Sequence, residues 1–280
     1  MLRDPPRGNA TLTQEEIASR VAELGAVQPW NHNFDLGGGV ETRPGLQRSQ
    51  GKNLVKFERL RQLLEALDLR GKLVIDIGCN EGFFALQIAQ QGARVIGVDV
   101  DEHRIAKARF VQSVLGAPDV DFRAIAIPSE AFDALPRADL CLVLGVLHRV
   151  PDPYALLDAV GQHANMLLLE WKALKFGPHD EAFAYFSPKP IEREDIYGTE
   201  YWLLSFEATE RILRRLGFTY FHRIDDSRQR RAIFVAGRVD HPVFRRADVS
   251  ISRGRARSIL SHTKRYLRTV TGVLTGRVNA

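Results

Sequence analysis

The 280-residue chain is 45% hydrophobic with a net charge of +5, enough material for one decorated domain or two at roughly 100–200 residues each. The start, MLRDPPRGNA, lacks the apolar run of a secretory leader, and no stretch reaches the ~18 apolar residues of a membrane span, so the chain reads as cytoplasmic. From His241 onward nine basic residues stand against one acid, Asp248, a net of +8 that leaves −3 for the body, and this argues against the body as a nucleic-acid surface.

The first element is a helix, LTQEEIASRVAEL, with a capping box from Thr13 and Glu16 and a hydrophobic staple from Leu12 and Ile17. An irregular stretch follows, PWNHNFDLGGGVETRPG (residues 29–45), with neither helical nor strand periodicity. A second helix is expected over 53–67, with Leu54, Phe57, Leu60, Leu64 and Leu67 on one face. From residue 72 short apolar runs alternate with amphipathic ones: KLVIDIG, EGFFALQIAQQG, RVIGVDV, DEHRIAKARFVQSVLG, VDFRAIAI, ADLCLVLGVL, DPYALLDAVGQHA and NMLLLEWK. Continuous Val/Ile/Leu runs separated by helices predict strands covered on both faces, a doubly wound, mostly parallel α/β sheet. Residues 173–204, rich in aromatics and Pro, break this rhythm and read as an inserted substrate lid. The helix SFEATERILRRLGF then leads to TYFHRID and RRAIFVAGR, whose short polar connection makes them an antiparallel C-terminal hairpin. Cys79 and Cys141 lie in apolar runs outside any metal or disulfide spacing and read as buried thiols.

Chemistry concentrates in VIDIGCNEGFFA, where the first strand passes into a helix. Gly78 and Gly82 permit the turn and close backbone approach, and the helix start offers unpaired N–H groups. The G-x-x-x-G spacing, with Asn80 and Phe83 in place of further glycines, fails the dinucleotide fingerprint. Asp76 ahead of the loop and Asp99 at the end of the next strand suit S-adenosylmethionine instead. Amides and glycines of Gly78, Cys79, Asn80 and Gly82 would face its amino-acid moiety, and Asp99, followed by Val100, would accept both ribose hydroxyls. The alternative is a loop whose glycines serve the turn alone.

Taken together, the strand, loop, helix, Asp99 and terminal hairpin resemble the class I S-adenosylmethionine-dependent methyltransferases. That resemblance implies a Rossmann-like sheet, with adenine beside Ala126 and Ile127 after the third strand and Leu144 and Gly145 at the end of the fourth. From Trp30 to about Arg238, the order Trp-x-His, ETRPG, LRGKLVIDIGCNEGFFALQIAQQGARVIGVD, LGVLHRVPDPYALL, LLLEWK and YWLLSFEATERILRRLGF is similar to the group containing the tRNA wobble-uridine 5-oxyacetate-forming methyltransferase. Lys56 in LVKFER matches a basic-aromatic pair of that group. Where the tRNA enzyme has a Tyr-His pair this chain has His148-Arg149, and PWNHNF offers no Lys. Ordinary S-adenosylmethionine is therefore expected rather than a carboxylated cofactor.

Methyl transfer from a sulfonium needs an aligned nucleophile and, for a weakly acidic one, removal of its proton. No Pro-Cys supplies a thiolate for cytosine, LGVL is not the set used on adenine amines, and Asp139 with Glu170 does not make a metal site, which leaves oxygen as the expected nucleophile. His148 and Glu170, at strand ends, and His32 are the candidate catalytic groups. Each has a plainer reading: His148 as a histidine bonded to a loop or lining the cofactor pocket, Glu170 as a solvated charge ending its strand, Trp30 and His32 as a staple for the N-terminal helices. Trp30, Asn33, Lys56, Tyr185, Tyr201 and Trp202 are the candidate acceptor-binding residues, the aromatics being equally suited to packing.

Within the basic tail, which runs from Arg245 to Arg277, the apolar residues between Ile259 and Leu274 fall mostly on one helical side, with Arg and Lys on the other. It could pack on the domain, meet an anionic membrane surface as a peripheral contact, or bind RNA. The organisation expected is a helical cap (1–70), an S-adenosylmethionine-binding domain (71–240) and a basic amphipathic tail (241–280), with no metal. O-methylation of a small-molecule or glycan-like acceptor is the expected activity; a tRNA-modifying methyltransferase and a non-catalytic cofactor-binding scaffold are the alternatives.

Overall fold

The computed structural model describes residues 12–44, 57, 60, 61, 63–117, 120–173, 184–188, 200–226 and 231–245, in two compact units, Met1–Phe132 and Asp133–Ala280.

In the first unit, helix α1 (Gln14–Val27) starts at the expected capping box: Thr13 accepts from the Glu16 N–H, and Glu16 Oε2 accepts from the Thr13 N–H over 2.7 Å. Of the two expected staple residues, Ile17 is buried and Leu12 is 43% exposed. Phe57, Leu60, Leu63, Leu64 and Leu67, among the helical residues between 57 and 67, are all buried. Strands β1 (Leu73–Ile77), β2 (Arg94–Asp99) and β3 (Val120–Ala124) run parallel in the order β3-β2-β1, with Val95 facing both Val74 and Val120. Helix α2 (Phe83–Ala89) follows β1 and helix α3 (Glu102–Leu115) follows β2. Strands β1 and β2 are buried almost throughout, as continuous apolar runs require. The third departs from that expectation: in β3 only Val120 and Phe122 are buried, so this strand alternates with a period of two and covers one face only.

The stretch 29–45 forms, over its described residues, a turn closed on itself. Leu36 donates to Val40 O and Thr42 to Phe34 O, with an antiparallel bridge between Asp35 and Glu41. Gly37, Gly38 and Gly39 carry it through φ of +83°, +56° and +81°, a left-handed run that a side chain would strain.

In the second unit, β4 (Leu140–Leu144) pairs parallel with β5 (Met166–Lys172) across helix α4 (Pro153–His163). Helix α5 (Phe206–Arg215) precedes β8 (Tyr220–Asp226) and β9 (Arg231–Gly237), which form the antiparallel hairpin expected from the sequence. The order is β4-β5-β9-β8, β9 lying antiparallel between β5 and β8. The insert contains an element that its sequence did not announce: β6 (Ala184–Pro188) and β7 (Glu200–Leu204) form a separate antiparallel ribbon. A 3-10 turn, Pro242–Arg245, ends the described chain, and the tail beyond it lies outside the described residues.

Candidate active site

The cofactor loop is built by backbone conformation. Gly78, Asn80 and Gly82 adopt φ of +66°, +54° and +81°, so alternate residues turn the chain between β1 and α2. A Cβ at Gly82 would stand 2.5 Å from Phe122 Cζ, so the glycine meets a packing limit as well as a dihedral one. The loop is fastened to β2: Cys79 N–H donates to Val98 O over 3.0 Å and Asn80 N–H donates to Asp99 Oδ2 over 2.9 Å.

Asp99 is 2% exposed, and its other oxygen accepts from the Asp101 N–H over 3.1 Å. Burial raises its carboxyl above the ordinary range, although N–H groups of Asp101 and Asn80 and the Arg104 charge pull it back. Asp76 lies buried in β1. Burial, aided by the charges of Asp76 and Asp99, pushes the Cys79 thiol well up, which keeps it protonated and unreactive. Ile125 N–H donates to Asp99 O, which sets Ala126 and Ile127 next to the strand end that carries Asp99. Val100 is 49% exposed beside it.

The N-terminal stretch belongs to this same site through a residue that sequence reasoning missed. Glu81, fully buried inside the loop, accepts from Asn31 N–H (2.8 Å) and His32 N–H (2.7 Å), with Lys107 Nζ at 3.5 Å. Lys107, also fully buried, donates to Gln28 O and Pro29 O and lies 4.8 Å from the Trp30 ring centroid. Burial raises the Glu81 carboxyl and lowers the Lys107 ammonium, each opposed by the other's charge. Trp30 is buried and spends its indole N–H on Val21 O of α1, a contact that suits the stapling reading. Asn33 is likewise engaged inside the stretch, its side chain donating to Glu41 Oε2 and accepting from the Arg43 N–H. His32 is 9% exposed, with Nδ1 3.7 Å from Glu81 Oε2 and its ring beside those of Phe34 and Phe83. Lys56 lies outside the described residues.

In the second unit Gly145, at φ +86°, donates its N–H to Glu170 O over 2.7 Å just beyond Leu144. Glu170 does not end its strand as a solvated charge: β5 continues to Lys172, and Glu170 is 3% exposed. His148 is fully buried, and its Nδ1 accepts from the Lys172 N–H over 3.4 Å, which places the proton of a neutral ring on Nε2. The ribbon holds the same loop, Trp202 N–H donating to His148 O and Trp202 Nε1–H to Pro151 O. Tyr185 and Tyr201 pair with Leu203 and Ser187 in that ribbon; their side chains lie outside the described residues. Among the described residues no group of three or more His, Cys, Asp or Glu is arranged to hold a metal ion, and no helix is long and apolar enough to cross a membrane.

A positive-φ loop fastened to a buried Asp at the end of the second strand is the site geometry of the class I S-adenosylmethionine-dependent methyltransferases. The chain belongs to the methyltransferase family: a family model described as "Methyltransferase domain" matches residues 49–223, more than half its length. It is 36% identical over 101 residues to the ubiquinone biosynthesis O-methyltransferase of Stutzerimonas stutzeri (strain A1501), covering 36% of this chain and 43% of that protein. It is 37% identical over 101 residues, with the same coverage, to the protein of that name from Pseudomonas aeruginosa (strain UCBPP-PA14). The chain thus spans less than half the length of these curated relatives. Among solved structures, the N-terminal domain of EvdMO1 with SAH bound superposes with a TM-score of 0.67 at 23% identity, covering 84% of this chain and 100% of that one. Magnesium protoporphyrin IX methyltransferase from Synechocystis PCC 6803 with bound SAM gives 0.51 at 19% identity, covering 83% and 100%. These likenesses show the fold, which is Rossmann-like.

Proposed function

We propose that the chain methylates an oxygen atom of a small-molecule acceptor, with S-adenosylmethionine as donor. The observation that carries this reading is the Asp99 carboxylate, buried at the end of β2 and oriented by the N–H groups of Asn80 and Asp101. Such a carboxylate suits two vicinal ribose hydroxyls as hydrogen-bond donors. The loop fits the rest of the molecule. Gly78 and Asn80, both half-buried at positive φ, offer surface to its amino-acid end, although the N–H groups of Cys79, Asn80 and Gly82 are already bonded to Val98 O, Asp99 Oδ2 and Cys79 O. Val100, Ala126 and Ile127 offer surface to the adenosine, and the spacing has no place for a pyrophosphate.

The cofactor supplies a methyl group made electrophilic by its sulfonium. The protein's share is alignment of the acceptor at about 3 Å and management of one proton. Within the second unit, the buried His148 and Glu170 are the candidate groups for handling that proton. The curated relatives are named O-methyltransferases, which supports oxygen as the acceptor atom.

The test is incubation with methyl-labelled S-adenosylmethionine and, in separate reactions, a small-metabolite extract and total tRNA. Label in the metabolite fraction is expected. Label confined to the RNA would overturn the acceptor class.

A further inference from the structure

Glu81 sits midway along the cofactor loop, yet its side chain turns away from the loop and into the N-terminal segment. Its two oxygens receive two consecutive backbone N–H groups, Asn31 at 2.8 Å and His32 at 2.7 Å, and face Lys107 Nζ. A fully buried carboxylate with three donors is costly to disturb, because removing one partner strands the others. The neighbouring contacts run the same way. Asn31 Nδ2 lies 3.4 Å from Asn80 Oδ1, and Gln28 Nε2 donates to Asp101 Oδ2 over 3.0 Å. Asn80 and Asp101 are the two residues whose N–H groups orient Asp99. The segment carrying His32 is therefore fastened to the loop at its centre and to both donors of the ribose-binding carboxylate.

We propose that Glu81 is a positioning residue that couples the cofactor loop to the segment 28–33, so that occupancy of the loop fixes the place of His32. The inference rests on the cofactor reading above. Its energetic content is reciprocal: a ligand that steadies the loop must steady the Asn31 and His32 amides, and loss of their anchor must weaken the ligand by the same factor. Glu81→Gln keeps the volume but turns an NH2 group toward donors and leaves the Lys107 charge uncompensated. Glu81→Gln with Lys107→Gln removes both charges together and keeps a folded comparison available.

The experiment is amide hydrogen exchange with and without S-adenosylhomocysteine, beside calorimetric titration of the same ligand. In the wild type, the ligand is expected to slow exchange at Asn31 and His32 by roughly tenfold, the scale of one charge-assisted hydrogen bond, with no matching change at Ile17 in α1. In whichever variant folds, that protection disappears and affinity drops by about the same factor. Wild-type binding without protection at Asn31 and His32, or protection undiminished in the variants, overturns the coupling and leaves the cofactor reading standing. Absence of wild-type binding overturns both.

Discussion

The backbone N–H of Asn80 lies 2.9 Å from Oδ2 of Asp99, joining the left-handed turn after β1 to the carboxylate at the end of β2. One hydrogen bond thus ties the loop to the carboxylate proposed to accept the ribose. Asp99→Ala removes the acceptor and strands the N–H groups of Asn80 and Asp101. Affinity for S-adenosylhomocysteine is expected to fall by about 100-fold or more, as the loss of two hydrogen bonds to a charged group implies. Titration calorimetry checks it, and a variant that binds as the wild type does would remove Asp99 from the site.

The raised Asp99 carboxyl gives a pH dependence of known sign. An acid raised in the fold holds its proton more readily there than in the unfolded chain. Its contribution to stability is therefore full below the ordinary value of 3.8 and is lost as pH rises through the folded-state value. Ligand binding runs the other way, because ribose hydroxyls need the carboxylate. S-adenosylhomocysteine affinity should begin to fall, as pH is lowered from 7, before an ordinary aspartate would begin to protonate. An affinity that stays flat down to pH 3.8 would contradict this.

Gly82→Ala is expected to destabilise the protein by about 2–4 kcal/mol, combining left-handed strain with overpacking against Phe122. Urea unfolding measures it, and Phe122→Leu in the same chain should recover part of the loss by making room for the added methyl.

Thr13→Ala should cost about 1 kcal/mol through loss of the capping box at the start of α1. The urea midpoint should shift with an unchanged slope, because only a helix end is altered.

Much of the site was readable in the chain because its signals are local. The run VIDIGCNEGFFA declared a strand, a glycine turn and a helix, and the structure has β1, the turn and α2 there. Asp99 follows from its place at the end of the next apolar run, and the β8–β9 hairpin from a polar connection too short for a helix. What escaped was long-range. Lys107 sits among Glu, His and Arg in α3 and looks solvated by composition, while Glu81 looks like an ordinary loop acid. Only the docking of residues 28–32 buries both. The same docking accounts for Trp30, whose indole meets Val21 O nine residues back, a pairing that periodicity does not encode. In the insert, the ribbon of β6 and β7 is joined across residues 189–199, which a short-range strand signal does not bridge.

Titration of the intact wild-type protein with S-adenosylhomocysteine decides whether the loop and Asp99 form a cofactor site. Saturable binding of one equivalent is expected, strongly weakened in Asp99→Ala. A wild-type titration that shows no binding, with the protein folded by circular dichroism, would contradict it.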